Sequence, residues 1–292
     1  MWIIMAILSS VFAALTAILS KVGLKNTNSN VATALRTSVV LVFAWAMVFI
    51  TGTYKGIGQI DVKSLIFLIL SGLATGASWI CYFKALSIGE VSKVAAVDKS
   101  SVVLSVLFAI IIFPEERGRW WVKLICLAAI GVGTFLMIDF KKDGEGDKKS
   151  RFAWLIFALL SAVFAAATSI LAKVGITGVN SNLATAIRTC VVLVLAWVIV
   201  FAKGEAKCIK EFKFKHVIFL ILSGIATGAS WLCYYYAIAA GQVSVVVPID
   251  KLSILLTVLF SVIFFKEKMS VKAWIGLTLL TLGTVLMAVF GT

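Results

Sequence analysis

Residues 97–105, VDKSSVVLS, and residues 249–257, IDKLSILLT, each set an Asp beside a Lys in a stretch that is otherwise almost wholly apolar. Arg36 and Arg188 stand likewise inside ATALRTSVVLV and ATAIRTCVVLV. Such groups can hold the charged ends of a small solute, or close a path by pairing with one another. An isolated ionised group in hydrocarbon costs about 2.5–3.5 kcal/mol on insertion scales. Arg36, Asp98, Lys99, Arg188, Asp250 and Lys251 must therefore pair or face water. Two readings follow: they line or gate a substrate path, or an Asp pairs with Arg or Lys and pins the fourth helix of its unit to the second. One pair seen in two conformations satisfies both. Neighbours on a helix point about 100° apart, so Asp98 and Lys99 cannot face a single partner.

Aromatic groups accompany the charges. SGLATGASWICY and SGIATGASWLCYYY end in Trp79 with Tyr82, and in Trp231 with Tyr234. Both Trp residues lie deeper than an interfacial belt position, so stacking on substrate or gate closure stands beside that ordinary reading. Gly72 and Gly76, like Gly224 and Gly228, have the small-xxx-small spacing that lets helices approach closely. The five Cys show no CxxC spacing, His216 is the only His, and no GxxxxGK[ST] motif occurs. Neither a metal site, a cofactor nor a built-in ATP drive is expected. An embedded enzyme would need paired acids, His ligands or a Ser-His set within the apolar segments, and the sequence offers none.

The elements that must position these groups follow from composition. The chain is 62% hydrophobic and 14% charged, with mean hydropathy +1.09, whereas soluble domains sit near 45–50% and about 25%. At roughly 20 apolar residues per crossing, the chain reads as ten spans, near 2–25, 31–52, 64–87, 91–113, 119–139, 152–175, 182–203, 216–239, 242–265 and 271–290. The fold expected is all-α and polytopic. The first span has no basic flank or small-residue cleavage site and reads as a retained helix. A net charge of +14 would suggest nucleic acid on a soluble protein, but here Lys and Arg are spread over short loops and serve orientation.

The chain is written twice. WIIMAILSSVFAALTAILSKVGLKNTNSN at 2–30 returns as WLIFALLSAVFAAATSILAKVGITGVNSN at 154–182, and the offset of 152 carries Asp98 to Asp250 and Glu115 to Glu267. After that the offset falls to 150. The units are 1–139 and 152–292, joined by the charged connector 140–151. Five spans is an odd number, so the second unit enters the bilayer from the opposite face. That is an inverted-topology repeat, which supports alternating access about a midplane site. Pro248, present only in the second copy, is expected to bend its helix beside Asp250. The copies also differ at Lys84/Tyr236, Glu90/Gln242 and Lys93/Val245. Asn28 and Asn180 read as N-caps.

Two five-span units of this kind resemble the EamA domains of the drug/metabolite transporter superfamily. The resemblance rests on a small-residue-rich third span ending in an aromatic and on a fourth span with a central polar step and an acidic end. IIIFPEE and VIFFKEK stand where that family has a Leu-Gly-Glu ending. It implies a ten-helix carrier of small metabolites or drugs in the cell membrane. Two cations and one anion per cluster favour a zwitterionic or anionic substrate such as an amino acid. The alternatives are an exporter of cationic drugs or quaternary amines, a channel, or a scramblase. A coupling proton or ion is compatible with the charges, and one chain holding both units is expected to work as a monomer. Loops after the first, third, fifth, seventh and ninth spans hold most of the Lys and Arg, against Lys55, Lys63, Arg117, Arg119, Lys123 and Lys173 on the other face. That count puts both termini outside, while the resemblance implies both inside.

Overall fold

The computed structural model describes residues 1–23, 27–88, 94, 97, 100–137, 148–264 and 269–291. Asp98, Lys99, Glu90, Lys93, Glu267 and the connector before residue 148 lie outside the described residues. Eleven α-helices occur among them. The first unit has α1 (Trp2–Gly23), α2 (Ser29–Ile50), α3 (Val62–Ile88), α4 (Ser101–Ile112) and α5 (Trp120–Leu136). The second has α6 (Lys148–Ile176), α7 (Ser181–Ala202), α8 (Phe214–Ala240), α9 (Val243–Lys251), α10 (Ser253–Phe264) and α11 (Val271–Phe290). Among the described residues eight segments are long and apolar enough to cross a membrane, and α4 and α5 are shorter apolar helices. The outer faces are apolar as well. Val42 and its counterpart Val194 are 70% and 62% exposed, an arrangement suited to lipid and not to water.

Local chemistry sets the helix starts. Asn28 Oδ1 accepts from the N–H groups of Asn30 and Val31, and Asn180 Oδ1 from that of Asn182, which satisfies donors the first turn leaves orphaned. The fourth helix of the second unit is interrupted. Pro248 sits within α9, and the interruption falls four residues later, at Leu252. In the first unit the equivalent Ser100 also lies in a turn, where Val97 O accepts from both the Ser100 N–H and its hydroxyl. The residue matching Pro248 there is Ala96. The second copy thus unwinds one residue after its Asp-Lys step, four residues past Pro248.

Packing between the units is reciprocal. Trp45 Nε1 on α2 donates to Cys190 Sγ on α7 at 3.5 Å, and Trp197 Nε1 on α7 donates to Ser38 Oγ on α2 at 3.3 Å. Both Trp side chains thus turn inward rather than towards lipid. Ser9 meets Ser230 between α1 and α8 as Ser161 meets Ser78 between α6 and α3, each at 3.2 Å. Each of these contacts has a twin displaced by the repeat offset, so a two-fold rotation relates the paired helices. Along α2 and α7 the contacts rise in one helix as they fall in the other, so these equivalent helices run antiparallel. Helices α5 and α11 do the same: Cβ atoms added at Gly133 and Gly276 would lie 2.6 and 2.5 Å from the other residue's carbonyl oxygen. A rotation that exchanges antiparallel rods has its axis perpendicular to them.

Glycines also fix the parallel contacts that flank this axis. A Cβ on Gly72 of α3 would lie 2.8 Å from Val191 Cβ on α7, and one on Gly224 of α8 would lie 2.7 Å from Val39 Cβ on α2. Close approach through small residues is how apolar helices bind without a hydrophobic driving force.

Candidate functional site

The Gly72 contact brings Arg188 of α7 against α3. Arg188 is fully buried; its Nε donates to Ser71 Oγ at 3.3 Å and its Nη2 to Thr75 Oγ1 at 2.8 Å. The guanidinium carbon lies 4.2 Å from the Tyr235 ring centroid and 5.5 Å from that of Trp231, within reach of cation–π attraction. Nη1 is buried and has no partner. A buried cation with hydroxyl and aromatic neighbours but an idle donor is poised for an anion.

Two cavities adjoin these rings. One, of about 210 Å³, lies between Ala13 of α1, Thr168 and Ser169 of α6, Trp231, Tyr234 and Tyr235 of α8, and Asp250 with Lys251 of α9. The other, of about 170 Å³, is lined by Thr75 and Trp79 of α3, Thr168, Trp231 and Tyr235. Trp231, Tyr235 and Thr168 form the shared wall, with Arg188 one side chain behind it. Small hydroxyl residues leave this space: Thr168 and Thr75 face each other at 3.3 Å, and Tyr234 Oη meets Ser169 Oγ at 2.8 Å.

Asp250 is held differently from Arg188. Its Oδ1 accepts from Ser9 Oγ at 2.6 Å, and Lys251 Nζ is 3.9 Å from Oδ2. Asp250 and Arg188 do not pair, so these two residues form no ion pin between the second and fourth helices of the second unit. Lys251 is 39% exposed and Asp250 17%; both border the first cavity, as does Tyr234, while Trp79 borders the second.

Two expected site residues lie elsewhere. Arg36 Nη1 donates to Ser20 Oγ at 2.9 Å, and Ser20 meets Ser223 at 2.8 Å; Arg36 lines neither cavity. Tyr82 packs beside Ala85, Val94 and Ala158. The sequence reading missed Tyr235, whose counterpart in the first copy is Phe83. Only a substitution adding a hydroxyl next to Tyr234 marked it.

A second polar centre was also missed. Glu116 and Lys123 are both fully buried and 3.3 Å apart. Lys123 Nζ also donates to Gln242 Oε1 and Ser244 Oγ. The Glu116 carboxylate accepts from the N–H groups of Val243 and Ser244 and from the Ser244 hydroxyl, so it caps the positive end of α9. The sequence reading placed the acid of this turn at Glu115, which is exposed, and counted Lys123 as a loop cation. Lys173 is also engaged, donating to the carbonyls of Ile238 and Gly241.

Known proteins match this architecture. A solved crystal structure superposes with TM-score 0.77 over 99% of this chain and 97% of its own, at 14% identity. A transporter of uncharacterized function from a Sinorhizobium species is 45% identical over 138 residues, 47% of this chain but 98% of that protein. That relative is thus about one unit long. An uncharacterized protein of Methanocaldococcus jannaschii is 29% identical over 102 residues, 32% of this chain and 74% of its own. The model of the EamA-like transporter family matches residues 1–138 and again 152–289. Predominantly helical in its described residues, sheathed in apolar side chains and matched in both halves, the chain is a multi-pass membrane protein that belongs to the EamA-like transporter family.

Proposed function

We propose that the protein is a secondary carrier of the cell membrane. It moves a small zwitterionic or anionic metabolite of the amino-acid class by alternating access between two inverted five-span units, ten spans in all. The observation that carries this reading is Arg188: a buried guanidinium with an unpartnered Nη1, roofed by Trp231 and Tyr235, beside a cavity that also holds Asp250. A substrate carboxylate displaces the Tyr235 ring and takes the idle donor, while an ammonium group finds Asp250 across the same space. Charge-assisted hydrogen bonds of this kind are short and strong. The antiparallel pairing of α2 with α7 and of α5 with α11 supports units of opposite orientation, each rocking against the other.

Purified protein in proteoliposomes tests the reading. Labelled neutral amino acids should enter saturably and faster when unlabelled substrate is preloaded, and Arg188→Ala should abolish both effects. Uptake of a quaternary amine that amino and organic acids fail to compete with would replace this reading with a cation exporter. Flux that neither saturates nor exchanges would replace it with a channel.

A further inference from the structure

Helices α3 and α7 run parallel from the Gly72–Val191 contact through Gly76 and Leu195, at a constant register of 119 residues. The same register pairs Ile80 with Ile199 and Lys84 with Lys203. No small residue continues the seam beyond Gly76, and the helices part around a groove of about 610 Å³ lined by Ile80, Phe157 of α6, Val198 and Ile199, with Lys84 and Lys203 among its walls. That volume falls in the range of sites that take small organic molecules, about 300–1,000 Å³. Ile80 and Val198 are 51% and 53% exposed, so the groove opens sideways to the acyl region. Both lysines stand eight residues past the glycine contact, about 12 Å along the helices. Lys203 is the cap residue of α7, at the level where headgroups begin.

We propose that this groove binds one anionic phospholipid, its phosphate held between Lys84 and Lys203 and its acyl chains laid against Ile80, Phe157 and Val198. The charge is deliberate in position. The positions related by the repeat offset hold Tyr236 and Thr51, so the cation pair is not repeated at the matching positions. The pair lies on the face whose loops hold most of the Lys and Arg. Basic pockets between membrane helices are the sites that recognise anionic headgroups. The lipid bridges α3 of one unit and α7 of the other, directly beyond the contact that seats Arg188.

The full chain in nanodiscs of phosphatidylcholine with phosphatidylglycerol tests this, read by native mass spectrometry of retained lipid and by the unfolding midpoint. At about 1 kcal/mol per lysine, phosphatidylglycerol should be retained roughly tenfold or more over phosphatidylcholine and should raise the midpoint. The Lys84→Ala/Lys203→Ala variant should lose the preference, Lys84→Arg/Lys203→Arg should keep it, and Lys55→Ala/Lys63→Ala on the opposite face should leave it unchanged. Equal retention of the two lipids by the wild type, or a preference that survives Lys84→Ala/Lys203→Ala, overturns the site. Equal loss in both Ala pairs also overturns it, in favour of general surface charge. No transport is measured, so the result stands apart from the identity of the substrate.

Discussion

Glu116 and Lys123 form a fully buried ion pair, 3.3 Å apart, that ties the first unit to the start of α9 in the second. Removing one member leaves the other charge stranded, which typically costs 3–5 kcal/mol. Lys123→Met should therefore lower the thermal unfolding midpoint sharply. Glu116→Gln with Lys123→Met should be milder than Lys123→Met alone, because no stranded charge remains. The second copy has Lys268 and Ala273 at these positions, so the Glu-Lys pair is not repeated in its sequence.

The α5–α11 seam makes a paired prediction about glycine. A Cβ on Gly133 would stand 2.6 Å from both Gly276 O and Leu280 N, backbone atoms that cannot swing aside. On the same helix, a Cβ on Gly131 would meet nothing nearer than 3.7 Å. Gly133→Ala should destabilise by about 1–3 kcal/mol or more, read as a lower unfolding midpoint in detergent, while Gly131→Ala should be tolerated.

Arg188→Lys should not be conservative. An ammonium cannot serve Ser71 and Thr75 at once from a planar fork while stacking on Tyr235. The variant should bind substrate at least tenfold more weakly in a ligand-induced thermal shift. Arg36→Ala, at a residue that lines neither cavity, should weaken binding much less.

Asp250→Asn preserves shape and removes charge. A hydrogen bond to a charged group contributes about 1.5–3 kcal/mol, so a substrate ammonium should lose roughly ten- to a hundredfold in affinity. A purely anionic analogue should bind as well or better. Competition between an amino acid and its deaminated analogue would measure the difference.

Much of this was legible from residue types. The repeat was written in the chain because duplicated seams need the same small and hydroxyl residues twice, and Ser9, Ser78, Gly72 and Gly224 recur at the repeat offset. The depth of Arg188 followed from its place in an apolar run. What escaped was tertiary. Glu116 looked no different from Glu115 beside it, since a helical turn's rotation decides which of two adjacent acids is buried. Arg36 and Arg188 are equivalent in sequence but take unlike partners, Ser20 in one case and Ser71 with Thr75 in the other. Pro248 suggested a local bend, whereas the interruption falls four residues after it, at Leu252.

The interruption at Leu252 divides the fourth helix of the second unit into two short rods, α9 and α10, joined through one residue. Under the alternating-access reading proposed above, the step that carries Asp250 and Lys251 is where that helix would bend.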